Sequence, residues 1–226
     1  MNYVGNDIVD LKSPHAIGKS WDDRFVRRVF TDQEQAIIYD SELPDQMVWA
    51  LWAAKESAYK AISKLNLTTI TSAPARYQVN FNSEDLQPVT FGIVVPPFGI
   101  DNVYVLIQMT DTYIHCMAST QIIPFIEYLH HGIASLPSGV NPVFGQSSAF
   151  ESDLVRRLAI QKIAHELNIS PGIVSIQNIR DYRGLNIPKI YIEYRPTTID
   201  ISFSHDGNYV AYVFYPNANI HSKIRN

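Results

Sequence analysis

Two ionisable side chains stand four residues apart in the most clearly helical stretch of the sequence. In the run Lys55-Glu56-Ser57-Ala58-Tyr59-Lys60, Glu56 and Lys60 share one helix face, and Trp52 lies one turn before them. Glutamate–lysine pairs with this spacing are also common on exposed helices, so a purely structural role remains open. The neighbouring tryptophans and apolar flanks favour a position in a crevice of the protein rather than in open solvent.

A third ionisable candidate, Asp7, lies in the strand-like segment Val4-Gly5-Asn6-Asp7-Ile8-Val9-Asp10. An aspartate among Ile and Val residues is unfavourable unless it is paired or bound to a metal ion. A role in a turn or a helix cap is the alternative, and it suits Asp10 better. Two carboxylates and a lysine are groups that a magnesium-dependent phosphate enzyme could use, a hydrolase among others: Asp7, Glu56 and Lys60.

Other polar groups allow more than one interpretation. Ser204 and His205 precede a turn, where the histidine could be an interior, hydrogen-bonded residue. Three arginines share one face of a helix, which is usually a solvated face: Arg24, Arg27 and Arg28. The remaining histidines lack the spacing of a zinc site and are interpreted as structural or exposed, among them His115, His130 and His131.

The composition is typical of a globular protein. Hydrophobic residues make up 46% of the 226 residues and charged residues 18%, which excludes a disordered or fibrous chain. The net charge of −4 argues against a protein that binds nucleic-acid phosphates. Apolar runs fall far short of the roughly 20 residues of a membrane span, and no secretory signal pattern is found. With Cys116 as the single cysteine, we expect a cytoplasmic protein without a nucleic-acid or membrane partner.

Two helix-then-strand units follow a short N-terminal strand at residues 3–10. In the first unit, two short helices lie within residues 21–39, a long helix covers 45–65, and strands cover 77–81, 89–95, 103–109 and 113–119. In the second, a helix starts after Ser152-Asp153, and strands cover 173–179, 187–194, 199–204 and 209–215. Residues 135–148, rich in Pro, Gly and Ser, are predicted to be a linker.

This organisation predicts an α+β fold in two similar halves. The first half, residues 1–134, contains the Asp and Lys-Glu-x-x-x-Lys motifs, and the second, residues 149–226, contains Ser-His. Each half is predicted to be a long helix packed on an antiparallel sheet. The chain would then be a pseudo-dimer with its site in the cleft between the halves.

The two N-terminal motifs together resemble the signature of the 4′-phosphopantetheinyl transferase superfamily. That signature pairs Gly-x-Asp-Ile-Val-Asp/Glu with Trp-x-x-Lys-Glu-Ser/Ala-x-x-Lys, about 50 residues later; here these are Gly5–Asp10 and Trp52–Lys60. The stretch Arg28–Glu34 also resembles the family's aromatic-x-x-x-Glu segment, and Ile201–Gly207 resembles its Ser-His segment. The motif order is that of the small holo-acyl-carrier-protein synthases, at double length. Relative to the two-domain, surfactin-synthetase-activating type, the halves are permuted.

The resemblance has two departures. The family's Gly-Lys-Pro turn is here Gly184-Leu185-Asn186-Ile187-Pro188-Lys189, which leaves open the coenzyme A contacts around Gly184–Pro188. The position of a third metal-binding acid falls on Val9 in the Asp-Ile-Glu pattern of the two-domain type, so two protein ligands are expected unless Asp10 substitutes.

What the resemblance implies is transfer of 4′-phosphopantetheine from coenzyme A to a serine of an acidic carrier protein, with release of 3′,5′-ADP. It implies Mg²⁺ on Asp7 and Glu56, catalysis by Asp7, Glu56 and Lys60, and coenzyme A binding by Lys55, Lys60, Ser204 and His205. Either Glu56 or a metal-bound water would be the base. Arg24, Arg27 and Arg28 would dock the carrier, and the chain would act as a monomer. An inactive homologue that only binds coenzyme A and a carrier is the alternative, and the native carrier and pathway stay open.

Overall fold

The computed structural model describes residues 2–65, 67, 70–82, 86–122, 128–137 and 147–216, without the side chains of 147 and 148. This part of the chain has an α+β fold with antiparallel sheets, as predicted. It includes four α-helices: α1 (Asp23–Val29), α2 (Asp32–Asp40), α3 (Pro44–Ile62) and α4 (Ser147–Leu167). Within the described residues, no helix combines the length and apolar character that crossing a bilayer requires.

Three antiparallel sheets accompany the helices. The first has the order β1-β5-β4-β3-β2 and comprises β1 (Val4–Asp10), β2 (Gln78–Phe81), β3 (Val89–Val95), β4 (Val103–Met109) and β5 (Tyr113–Ser119). The second has the order β10-β11-β6 and comprises β6 (His130–Ser135), β10 (Asp200–Asp206) and β11 (Tyr209–Tyr215). The third has the order β7-β8-β9 and comprises β7 (Val174–Arg180), β8 (Asn186–Ile192) and β9 (Arg195–Pro196).

Most predicted elements are found within one or two residues of their expected ends, because local signals define them. The helix α2, for example, begins with a capping box, in which Thr31 Oγ1 accepts the N–H of Glu34 and the Glu34 carboxylate accepts the N–H of Thr31. The prediction for the long helix ran three residues too far, and α4 begins five residues before Ser152.

One strand near the predicted boundary between the halves pairs with a strand of the second half. Strand β6, which the sequence pattern did not predict, pairs with β11 in the second sheet although it lies before residue 136. The second sheet therefore begins at His130, while the first half was predicted to extend to residue 134. Of the predicted linker, residues 138–146 lie outside the described residues. The first half has one five-stranded sheet and the second has two three-stranded sheets, so a pseudo-dimer of similar halves stays a prediction.

Each long helix covers its own apolar core. Helix α3 packs on the first sheet and is buried along most of its length, from Met47 to Ile62. Helix α4 packs over the second and third sheets through Val155, Ala159 and Ile163. Strand β1 is buried on both faces because α3 lies on one side of it and strands of the second sheet lie on the other.

Strands β1 and β10 meet in a contact that we call the seam, made by side chains of β10. Three N–H groups of β1 donate to β10 side chains: Val4 to Asp200 Oδ2 at 2.7 Å, Asn6 to Ser202 Oγ at 3.1 Å and Asp10 to Asp206 Oδ2 at 2.8 Å. The donor residues are separated by even numbers of positions along β1, and so are the acceptor residues along β10, because groups that point to the same side of a strand recur every second residue. The seam thus provides acceptors for three N–H groups on the open edge of β1 without backbone pairing.

Candidate active site

The candidate site is built where β1 and α3 approach each other unusually closely. A Cβ atom at Gly5 would lie 1.9 Å from Ser57 O and 2.8 Å from Ala61 N, so only glycine fits at this position. Ser57 Oγ fixes the helix further by donating to Cys116 O of β5 at 3.1 Å. The small residues of the two motifs therefore bring the backbone of α3 against β1.

This approach places Lys60 on Asp7. Lys60 Nζ donates to Asp7 Oδ1 at 2.7 Å and to Asn6 O at 2.9 Å. The side chains of Asp7 and Lys60 are 14% and 31% exposed, so the pair is largely but not fully buried. Burial raises the pKa of Asp7, while the charge and hydrogen bond of Lys60 act in the opposite direction. Asp206 and His205 of β10 also influence the pKa of Asp7, so charges of both halves act at this carboxylate.

Glu56 completes the group as a half-buried carboxylate. Burial raises its pKa, and the negative charge of Asp7 raises it further. Among the described residues, Glu56 has no hydrogen-bond or ion-pair partner, although two acids and only one lysine meet here. An unpaired acid beside a second acid is the donor set of a hard cation such as Mg²⁺, which often takes one or two protein carboxylates. No cluster of three or more His, Cys, Asp or Glu suited to a metal ion occurs in the described part of the chain.

Asp10 has a different environment from Asp7. Its Oδ1 accepts the N–H of Lys12 at 2.9 Å, and its Oδ2 accepts both N–H and Nδ2–H of Asn208 at 2.9 and 3.1 Å. A Cβ at Gly207, whose φ is +52°, would lie 2.3 Å from Asp10 Oδ2. Both oxygens of Asp10 are thus used to hold the β10–β11 turn against β1, and the structure gives no support to Asp10 as a third metal ligand.

Lys55 does not join the other site residues. Its side chain is 1% exposed, and its Nζ donates to Glu34 Oε2 at 2.5 Å, to Val29 O at 3.0 Å and to Pro74 O at 3.1 Å. All three protons of the ammonium group are therefore used inside the first half. This placement argues against the expectation that Lys55 binds coenzyme A, which no binding observation tests. Consecutive helix residues point in different directions, so Lys55 turns into the core while Glu56 lies near Asp7.

Ser204 and His205 point to opposite sides of β10. Ser204 is buried at 5% exposure, and its Oγ accepts a hydrogen bond from Asn6 Nδ2 at 2.9 Å. It therefore belongs to the seam rather than to an open binding surface. His205 has a side chain that is 52% exposed and acts electrostatically on Asp7. Of the two residues, His205 is the one whose side chain is accessible to solvent.

Sequence reasoning missed Asp206, whose carboxylate accepts the Asp10 N–H and interacts with His15 Nε2 at 3.4 Å. The available signal was strand alternation, because Asp206 follows Ser202 and Ser204 on the face of β10 that meets β1.

The loop that replaces the family's Gly-Lys-Pro turn docks on the end of α3. Arg183 donates to Ser63 O, and Tyr182 donates its hydroxyl to Leu67 O at 2.7 Å. Gly184 has a φ of +83°, which explains why glycine stands at this turn. The loop between β7 and β8 therefore forms part of the same surface as α3.

The three arginines are exposed on α1. They line a shallow depression of about 560 Å³ together with Asp23. Among them, Arg27 has a loose ion pair with Asp23 at 3.6 Å. Trp21, next to this surface along the chain, is 85% exposed.

A known family model matches the part of the chain that contains the candidate site. Residues 3–90, which contain β1, α3 and the Asp7–Glu56–Lys60 group, match the model of the 4′-phosphopantetheinyl transferase superfamily. The resemblance to this superfamily is confirmed. The match covers both N-terminal motifs. It includes Gly5, and the close packing of Gly5 against α3 explains why this position requires glycine.

Two curated proteins that are similar to this chain are named holo-acyl-carrier-protein synthases. The one from Protochlamydia amoebophila (strain UWE25) is 36% identical over 59 residues, which are 26% of this chain and 48% of the relative. The one from Dehalococcoides mccartyi (strain ATCC BAA-2266 / KCTC 15142 / 195) is 38% identical over 63 residues, 28% of this chain and 50% of the relative. The chain thus spans about half the length of the curated relatives it matches.

Proposed function

We propose that this protein is a magnesium-dependent 4′-phosphopantetheinyl transferase. It would transfer the 4′-phosphopantetheine group of coenzyme A to a serine of an acyl, polyketide or peptidyl carrier protein and release 3′,5′-ADP. The observation that supports this best is the contact of Asp7 with Lys60 beside the unpaired Glu56. The superfamily match and the names of the two relatives add to it.

Asp7 and Glu56 are the residues that would hold the ion, which supplies positive charge to the diphosphate of coenzyme A. Their fit rests on the excess of negative charge at the site, since Lys60 neutralises only one of the two acids. Lys60 lies one helical turn from Glu56, so its ammonium group can donate to a diphosphate oxygen as well as to Asp7.

In the transfer step, the serine oxygen forms a bond to the phosphorus next to pantetheine, and the bond from that phosphorus to the bridging oxygen breaks. Glu56 would accept the serine proton, directly or through a water molecule that it holds. His205, half-exposed and acting on the same site from β10, would bind the 3′-phosphate side of coenzyme A.

The carrier would dock on the exposed arginines of α1. Arg24, Arg27 and Arg28 give this surface a positive charge that is complementary to an acidic partner, and Asp23 offsets only part of it. The exposed ring of Trp21 adds apolar area next to the charges. Because the seam already joins the two halves in one chain, we propose that the protein is a monomer. Light scattering that found an obligate trimer would contradict this. We also propose that the protein is cytoplasmic.

Mass spectrometry of a panel of apo-carrier proteins tests the function. After incubation with the protein, coenzyme A and Mg²⁺, at least one carrier should gain the mass of phosphopantetheine, and Glu56→Gln should remove this gain. Glu42→Gln, a change of the same chemistry at an exposed position, is the matched control and should remain active. Coenzyme A binding without mass gain on any carrier would instead favour the alternative, a homologue that only binds.

A further inference from the structure

An exposed aromatic side chain stands in an unfavourable backbone conformation in the loop between β3 and β4. Phe98 has a φ of +64°, and its side chain is 55% exposed. This left-handed conformation is uncommon for a bulky residue, whereas Gly, Asn or Asp adopt it more readily. Neither burial nor backbone geometry therefore accounts for an aromatic residue at this position.

The ring of Phe98 is covered by a positive charge. The guanidinium of Arg76 lies over the ring, 5.5 Å from its centroid, and Arg76 is itself exposed. Within the described part of the chain, Arg76 forms no ion pair, so no acid of the first half neutralises it by direct contact. Arg76 and Phe98 together thus present an aromatic ring and an unpaired cation to solvent.

Arg76 adjoins α1 through a shared buried lysine. Lys55 Nζ donates to Val29 O at 3.0 Å and to Pro74 O at 3.1 Å. Val29 is the last residue of α1, and Pro74 begins the short 3₁₀ helix that ends at Arg76. The two elements also contact each other directly. Arg76 is therefore a neighbour of the arginines at the C-terminal end of α1.

The basic surface described for α1 thus extends to the β3–β4 loop. It has four exposed arginines and an exposed aromatic side chain towards each end: Arg24, Arg27, Arg28 and Arg76, with Trp21 and Phe98. Acids near these residues in the sequence offset part of the charge: Asp22, Asp23 and Asp101. Since the whole chain has a net charge of −4, the positive charge is local, which suits an acidic protein partner better than a nucleic acid.

We propose that Arg76 and Phe98 form a second docking contact for the acidic carrier protein, at the end of the basic surface away from Trp21. The inference rests on the proposed function, because it takes the carrier as the partner. Aromatic side chains and arginines are the residues that contribute most to protein interfaces. In this role, the ring supplies the apolar contact and Arg76 supplies the charge. A ring that only packs on its own loop would not affect the carrier.

Transfer kinetics at varied carrier concentration test this contact. The carrier is the one of the apo-carrier panel that the wild type modifies fastest, with Mg²⁺ and saturating coenzyme A. Phe98→Asn removes the ring and should raise the KM for the carrier about tenfold. Arg76→Gln removes the charge and should raise it about fivefold, with a smaller effect at high salt. In both variants, kcat and the KM for coenzyme A should stay as in the wild type.

The stability of Phe98→Asn gives an independent readout. Because Asn adopts a positive φ more readily than Phe, the melting temperature should stay the same or rise while the KM for the carrier rises. The matched control is Tyr194→Asn. Tyr194 has the same φ of +64° and is 95% exposed, but it lies between β8 and β9 in the second half. This control, and Arg195→Gln at the neighbouring exposed arginine, should leave the KM for the carrier unchanged.

The outcomes separate the inference from the function on which it rests. If the wild type modifies no carrier of the panel, the proposed function and the inference both fall. If it modifies a carrier, and Phe98→Asn and Arg76→Gln keep the wild-type KM for that carrier, only the inference falls. An equal rise of this KM in Tyr194→Asn would also overturn the inference. So would light scattering that found self-association of the wild type and none in Phe98→Asn, because the surface would then bind a second copy of the chain.

Discussion

At the scale of single residues, the site is defined by an imbalance of charge. Asp7 and Glu56 lie close enough for the charge of Asp7 to raise the pKa of Glu56, and Lys60 pairs with Asp7 alone. The sequence singled out these three residues through the two motifs that resemble the superfamily signature, and the structure places Lys60 on Asp7 with Glu56 nearby. It could not predict that Lys55 is buried, since its partner Glu34 is 21 residues away and reaches it only through the packing of α2 on α3.

The charge imbalance predicts opposite effects of Glu56→Gln with and without Mg²⁺. Without the ion, the variant should be as stable as the wild type or more so, because the substitution removes the repulsion with Asp7. With increasing Mg²⁺, the melting temperature of the wild type should rise, as for any ligand that binds the folded state, while that of the variant should not. Scanning fluorimetry over a Mg²⁺ series measures both, and an equal rise in the two proteins would contradict the assignment of Glu56 to the ion.

At the scale of elements, the contact between β1 and α3 depends on glycine. Gly5 lets the strand approach Ser57 and Ala61, and this distance sets whether Lys60 can reach Asp7. A sequence pattern can indicate that a glycine stands in a strand, but a glycine in a bulge would give the same pattern. Only the packed structure shows that the backbone of a helix occupies the space of the missing side chain.

Gly5→Ala should therefore destabilise the protein by about 3 kcal/mol or more, the upper range for overpacking, because backbone rather than a flexible side chain occupies the space. Chemical denaturation measures the loss of unfolding free energy. Gly172→Ala is the control: a Cβ there would meet only Ser170 Oγ at 3.7 Å, and stability should change by no more than about 0.5 kcal/mol. Equal small losses in both variants would refute the close approach.

A buried histidine predicts how the strand pairing of β1 and β5 responds to pH. His115, opposite Ile8 in this pairing, has its pKa lowered from 6.5 to about 3, chiefly by burial and further by the charges of His131 and Lys60. Between these two pH values, the unfolded chain binds a proton that the folded protein excludes. Stability is therefore lost as the pH falls below about 6.5, by up to about 1.4 kcal/mol per pH unit for this group.

In His115→Gln, the loss of stability between neutral pH and pH 4 should be smaller than in the wild type. Urea denaturation at a series of pH values measures this slope. His165→Gln is the control because the His165 side chain is 80% exposed, and the slope should stay as in the wild type. Parallel curves for His115→Gln and the wild type would show that His115 is protonated in the folded protein.

At the scale of the whole molecule, the halves are joined by residues that no local pattern identifies. Lys64 Nζ donates to Val4 O, Ile201 O and Asp200 Oδ2, each at 2.7 Å, and so links the segment after α3 to β1 and β10. These partners are up to 137 residues away in the sequence. Helices and most strands could be predicted from local periodicity, whereas the seam and the placement of β6 depend on pairings between distant segments.

Lys64→Met should strongly reduce the stability of the folded protein, because it removes a contact between the halves. It would leave Asp200, which is 11% exposed, without its cation, and removing one partner of a buried pair costs about 3–5 kcal/mol. Lys162→Met removes a lysine from the more exposed pair with Glu166 and should cost no more than about 1 kcal/mol. Thermal denaturation compares the two, and similar losses would show that Lys64 contributes no more than a surface lysine.

The seam also has a consequence for the order in which the chain is made. Each N–H group of β1 that donates to β10 finds its acceptor 196 residues later in the sequence. At about 5–20 residues per second, ribosomal synthesis separates the two by roughly 10–40 s. During this time the nascent chain exposes one edge of β1, a template for pairing with other chains. Strand β1 is thus made long before the strand that supplies its acceptors, and the yield of folded protein should depend on how well nascent chains are kept apart.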